Sequence, residues 1–221
     1  MMPIANPVSL TDDADLILAY PAVSAQSWSY DMPRLPLRTL DDAPDASKSG
    51  LELSQKANGF LPNLVRLLAN APVALEAYQT LSGINARNGL RLAEREAIQI
   101  TAAATHGCGF CVAGHTIVAY KRAHLSETVV NALRNNDHVP DERLNSIAEF
   151  TRAVIRSRGN VTDEELKAFQ EAGFTDANAL EVVLGVSLAT LCNFANNLGR
   201  SELNSEYVPY AWTNPIAAAA E

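Results

Sequence analysis

From residue 51 onward, apolar side chains recur at three- and four-residue spacings, the rhythm of a helix with one buried face. No stretch alternates apolar and polar residues as a half-buried strand does, so little or no sheet is expected. The spacing predicts helices near 50–58, 62–69, 72–87, 91–105, 109–123, 126–135, 141–158, 163–171 and 176–198. Glycine and proline punctuate them at 59–62, 70–72, 89, 106–107, 138–140, 159–160 and 173. Thr162 followed by Glu165 forms a capping-box pattern, and Ser126 is a further N-cap candidate, because both hydroxyls can accept from a helix's free N–H groups.

Residues 1–50 carry six prolines, many Asp and Ser, and no sustained helical period. They read as an irregular arm, with one short helix near 10–18 and residues 1–31 as an extension. The run Met32-Pro33-Arg34-Leu35-Pro36-Leu37 reads either as an extended segment that docks on a neighbouring surface or as a loose tail. Residues 51–221 form a single all-helical domain in this reading.

Composition narrows the function classes. With 48% hydrophobic and 19% charged residues, the 221-residue chain can build its own core. A net charge of -8 and the lack of a Lys/Arg cluster argue against a nucleic-acid ligand. No apolar run is expected to reach the ~18 residues of a membrane helix, and no secretory signal is evident. Three cysteines are too few for a secreted disulfide scaffold, so a reducing, cytoplasmic setting is expected.

Candidate chemistry concentrates in EAIQITAAATHGCGFCVAGH, residues 96–115. Gly107 breaks one helix, and Cys108 and Cys111 then fall in the first turn of the next. There free N–H groups and the helix dipole favour a thiolate, and a thiol pKa can drop from about 8.5 into the range ~3.5–7.5. Cys108 and Cys111 are i, i+3 neighbours, so a disulfide is feasible. Cys111 and His115 are i, i+4 neighbours, so the imidazole serves Cys111 most easily. Glu96 lies on an apolar stripe with Leu92, Ala93, Ile100 and Ala103 and needs a partner there, since an unpaired buried carboxylate is costly. His115 is the expected partner, and Glu94 reads as a surface or interface charge. A Glu–His pair beside a thiol is an arrangement that activates a nucleophile.

The same residues admit other readings. Cys108, Cys111, His115 and Glu96 form a legal zinc set, and a pair of buried thiols can be merely structural. Covalent haem attachment requires His directly after the second Cys, where Val112 stands. A thioredoxin-type fold requires alternating strands and helices, which this chain lacks. Cys192 reads as a core residue among Leu184, Leu188 and Leu191. Asn193, Asn196 and Asn197 read as pocket or contact residues, or simply as a polar helix end. Tyr207, Tyr210 and Trp212 read as an anchor with an interface role. His124 and His138 read as exposed.

The Glu-x11-Cys-x2-Cys-x3-His pattern resembles the alkylhydroperoxidase D-like branch of the carboxymuconolactone decarboxylase family. GFLPNLVRLLANAPVALEAYQTL and GLRLAEREAI look like that family's lead-in helices, and residues 32–212 are similar to its longer, peroxidase-related members. The resemblance implies an all-α, multi-helix alkylhydroperoxidase D-like fold that assembles as a homotrimer or homohexamer. It implies that Cys111 attacks peroxide and becomes a sulfenic acid, that Cys108 resolves it as a disulfide, and that Glu96 and His115 relay protons. Some members carry an assisting histidine just before the second cysteine. Phe110 stands there, and His106 is either a substitute or a helix-end residue capping carbonyls.

The family's decarboxylases generally do not rely on a cysteine pair, so its presence points to redox chemistry. The expected activity is a thiol-dependent alkylhydroperoxide reductase, an antioxidant peroxidase. Its expected cofactor is none beyond the Cys108–Cys111 disulfide, and its reductant an external dithiol of lipoyl or thioredoxin-like type. Neither metal, nucleic acid nor membrane enters this expectation. Alternatives are a disulfide reductase or redox sensor using the same pair, a lactone enzyme or decarboxylase using Glu96 and His115, and a zinc-stapled assembly module.

Overall fold

The computed structural model describes residues 33–214. Within them the chain forms α1 (Asp45–Asn58), α2 (Asn63–Leu68), α3 (Pro72–Asn85), α4 (Leu92–Thr105), α5 (Gly109–Lys121), α6 (Glu127–Asn135), α7 (Glu142–Ser157), α8 (Asp163–Glu171) and α9 (Asp176–Gly199), followed by a short 3-10 turn at Val208–Tyr210. No strand occurs among the described residues, so the fold is all-α, as the periodicity implies. The Thr162–Glu165 capping box forms with both reciprocal bonds, and Ser126 accepts from the Val129 N–H.

One predicted boundary moves. α1 starts at Asp45, inside the stretch read as an irregular arm. Its first turn, DASK, looks like loop by composition. Pro44 supplies the extended residue before the helix, Lys48 pairs with Asp45 at 2.7 Å, and the buried Ser47 hydroxyl donates to the Ala69 carbonyl at 2.9 Å. The segment before it docks, and the surface it docks on belongs to the same chain. The Arg34 N–H donates to the Gly199 carbonyl at 2.9 Å, and the Arg66 guanidinium donates to the Leu37 and Arg38 carbonyls. The helix expected near 10–18 and the extension 1–31 lie outside the described residues.

α4 is the central helix. Residues 96–104 are all buried, because α5, α6, α7 and α9 pack around it. Two apolar cores meet on it. The first gathers residues of α6, α7, α8 and α9 around stacked rings of Phe150, Phe169 and Phe174. The second lies between α1, α2, α3, α5 and the later part of α9, and contains Cys108, Cys111 and Cys192.

Two readings need correction here. α9 is long and apolar enough to cross a membrane by length and composition, contrary to the expectation that no run would reach that length. It packs on α2, α3, α4, α5 and α7 while leaving Leu180, Val183, Phe194 and Leu198 exposed. Glu94 is not a surface charge but is 1% exposed. The Arg91 guanidinium reaches it at 2.7 Å and that of Arg143 at 2.6 Å, and Arg143 also lies over the Phe174 ring. The residues that bury it come from α7 and from the loop before α4. That is why its neighbours on its own helix did not reveal its burial.

Candidate active site

The turn between α4 and α5 builds the site. His106 ends α4, and Gly107 adopts φ +68, a left-handed conformation that costs a glycine least. The Cys108 N–H then closes back onto the Ala103 carbonyl at 2.8 Å. The hairpin sets α5 alongside α4 and brings the predicted partners together: His115 Nδ1 lies 2.8 Å from Glu96 Oε2. With Nδ1 donating to the carboxylate, Nε2 is the nitrogen left to exchange a proton. Burial alone would pull the His115 pKa down, but the Glu96 charge and hydrogen bond, aided by charge on Cys111, carry it above the ordinary value.

Cys108 is the N-cap of α5 rather than a residue of its first turn, and Cys111 is the third helical residue. Both are buried, at 1% and 5% exposure, and all three cysteines are free thiols. The Cys108 S–H donates to the Cys111 sulfur, and this is the largest influence on either thiol. Together with the His115 charge and the amides of Asn193 and Asn196, it outweighs burial and brings Cys111 down from 9.0 to about 7. Cys108 moves the opposite way, well above its ordinary value, because it is the donor and is buried. The pair is therefore asymmetric, with Cys111 the more acidic thiol and Cys108 the less acidic one. His115 acts on Cys111 through charge, while the nearest neutral donors come from elsewhere.

Those donors are the residues that sequence reasoning placed only loosely. Asn196 Nδ2 donates to Cys111 Sγ at 3.4 Å, and Asn196 Oδ1 is buried without a partner. An orphaned acceptor of this kind costs about 1–3 kcal/mol. Asn193 Oδ1 pairs with His106 Nδ1 at 3.0 Å, which turns the Asn193 amide nitrogen toward Cys111. Asn197 donates to the His106 carbonyl, and Phe194 meets the His106 ring edge-on. His106 thus reaches the thiolate only through Asn193, and its side chain does not cap carbonyls. The signal in the sequence was three amides within one turn of an apolar helix, next to Cys192. Cys192 itself is buried beside the pair, and burial and the Cys111 charge raise its pKa well above the ordinary value.

The C-terminal aromatic stretch packs against the site within its own chain. Tyr207 sits edge-on between Phe60 and Phe110, and the Trp212 carbonyl lies against Gly109 in the first turn of α5. Arg134 fastens this strap by donating to the Tyr210 and Ala211 carbonyls. Burial and the nearby Cys111 charge push the Tyr207 phenol up to about 12, and the same causes, with Cys192 and Tyr207, raise Tyr78. Both phenols therefore stay protonated beside the thiolate. Among the described residues, no three His, Cys, Asp or Glu side chains are grouped so as to hold a metal ion.

Residues 72–153, which include α4, α5 and the Glu–Cys–Cys–His constellation, match the model of the carboxymuconolactone decarboxylase family. That stretch is similar to the family's members over 82 of the 221 residues of the chain. Among solved structures it is similar to an alkylhydroperoxidase AhpD core, an uncharacterized peroxidase-related protein from Ralstonia eutropha JMP134. That match has 24% identity and a TM-score of 0.71, and covers 80% of this chain and 95% of that one. An uncharacterized peroxidase-related protein from Silicibacter sp. TM1040 matches with 19% identity and a TM-score of 0.67, covering 79% of this chain and 92% of that one. The debrominase Bmp8 matches with 18% identity and a TM-score of 0.64, covering 84% and 96%. Comparison with curated proteins finds no match. The fold of the chain is thus alkylhydroperoxidase D-like.

Proposed function

We propose that this protein is a thiol-dependent hydroperoxide reductase with an antioxidant role. The observation that carries the reading is the asymmetric thiol pair, with Cys111 held toward thiolate beside a Glu96–His115 pair at 2.8 Å. The similarity to peroxidase-related proteins supports it.

In this mechanism the Cys111 thiolate attacks the terminal oxygen of a hydroperoxide. An S–O bond forms, the O–O bond breaks, and sulfur loses two electrons to oxygen. The His115 imidazolium, held by Glu96, gives its proton to the departing alkoxide, which leaves as an alcohol. The Cys111 sulfenic acid then condenses with the Cys108 thiol, releasing water and leaving a disulfide. An external dithiol, lipoyl-type or thioredoxin-like, restores both thiols through a mixed disulfide. Exposure does not favour Cys108 as its point of attack, since Cys108 is the more buried residue, at 1% against 5%.

Steady-state hydroperoxide consumption with a lipoyl-type dithiol tests the reading, comparing the native protein with Cys111→Ser and Cys108→Ser. Turnover in the native protein and none in Cys111→Ser is the expected result. A native protein that exchanges its disulfide with dithiols but consumes no peroxide is instead a disulfide reductase or redox sensor.

A further inference from the structure

We propose that Asn196 is a catalytic residue of the Cys111 cycle, its amide nitrogen holding the thiolate and its unpartnered carbonyl oxygen receiving the hydroxyl of the Cys111 sulfenic acid. The inference rests on the peroxidase reading for its second half only.

Asn196 is 3% exposed and sits in the later part of an otherwise apolar helix, where a primary amide needs a reason. Half of that reason is visible, because Nδ2 donates to Cys111 Sγ at 3.4 Å. The other half is missing, because Oδ1 has no donor. Nearly all buried polar atoms have a partner, so a buried orphan beside a reactive sulfur calls for a donor that arrives during function. A thiolate offers no proton. A sulfenic acid offers one, on an oxygen bonded to the same sulfur that Asn196 already touches. The two ends of one planar amide lie side by side, so the residue can serve both states with a small shift.

The balance is that of the proposed reaction. The thiolate and the hydroperoxide, with one proton from His115, give a sulfenic acid and an alcohol, and the new S–O–H then donates to Oδ1. The hydrogen bond holds the sulfenic oxygen in place, which leaves the sulfur open to the Cys108 thiol and hinders attack on a second peroxide. The neighbours do not offer this. Asn193 has its oxygen engaged with His106, and the other titratable groups facing Cys111 are Cys108, His115, Cys192, Tyr78 and Tyr207.

Two variants separate the two ends of the amide. Asn196→Leu removes both, and Asn196→Asp keeps an acceptor while removing the donor. Iodoacetamide labelling of Cys111 across pH needs no peroxide. Loss of the donor is expected to raise its midpoint in both variants and slow labelling about tenfold at neutral pH, the effect of one charge-assisted hydrogen bond. In a Cys108→Ser background, one equivalent of hydroperoxide followed by dimedone trapping reads the sulfenic acid, and a further excess of hydroperoxide supplies the oxidant for its conversion to sulfinic acid. Faster overoxidation to sulfinic acid is expected with Asn196→Leu and not with Asn196→Asp. An unmoved labelling midpoint in both variants, whatever their stability, overturns the proposal. A moved midpoint with unchanged sulfenic lifetime overturns the acceptor role. If the Cys108→Ser protein itself forms no sulfenic acid, the peroxidase reading fails, and a moved midpoint still supports the donor role.

Discussion

The two cores of this chain differ in what they place among their aliphatic side chains. The first encloses stacked phenylalanines, and the charge at its edge is closed off, with Glu94 held between Arg91 and Arg143. The second encloses three thiols, two of them unequal, faced by Asn193 and Asn196 and flanked by Glu96 and His115. One helix serves both. Glu94 and Glu96 lie two residues apart on α4, both are buried, and they point to different partners. A guanidinium keeps its charge at any ordinary pH, so Glu94 is locked in place. An imidazole changes charge near neutrality, so Glu96 can hold a group that moves protons. What a buried carboxylate does is decided by the titration behaviour of its partner.

The sharpest way to break this comparison is Glu96→Gln. It removes the charge that raises the His115 pKa, so peroxide kcat/KM should fall by about 10²–10⁴, the usual share of a positioned acid–base group. The same variant should raise the Cys111 labelling midpoint while moving Tm little.

In the other core, Phe169→Ala deletes the ring between Phe150 and Phe174. It should cost about 3–5 kcal/mol of stability in denaturant unfolding, with the labelling midpoint of Cys111 unchanged. Glu94→Gln should cost less, about 1–3 kcal/mol, because Arg91 and Arg143 both reach solvent and stay hydrated. Peroxide turnover by the folded fraction of that variant should match the native protein.

The smallest effect is on pH dependence. Native Cys111 should label with a midpoint near 7, well below its ordinary value of 9.0. A thiol whose folded pKa is depressed stabilises the reduced fold fully above the unfolded value, and that contribution is lost as pH falls through about 7. His115 has the opposite sign. Its contribution is present below the ordinary 6.5 and is lost as pH rises through its raised value. Chemical denaturation of reduced protein across this interval would show the two slopes.

Much of the fold was legible because each helix carries its own apolar period and its own punctuation, and the ends of α8 and α9 fall within a residue of expectation. The start of α1 was not, since its stability comes from Ser47 reaching Ala69 across the fold rather than from DASK itself. The Glu96–His115 contact followed from a hairpin whose two arms are adjacent in sequence. The roles of Asn193 and Asn196 were hidden because they act on a sulfur more than eighty positions away. Glu94 was misjudged for a similar reason, with Arg143 some fifty positions distant.

One measurement addresses the thiol asymmetry and its use together. Fully reduced protein is treated with one equivalent of an alkyl hydroperoxide, quenched by alkylation, and its peptides are mapped by mass spectrometry. A Cys108–Cys111 disulfide with Cys192 alkylated is the predicted result. All three cysteines recovered alkylated, or a disulfide that includes Cys192, would contradict a Cys111 peroxidase resolved by Cys108.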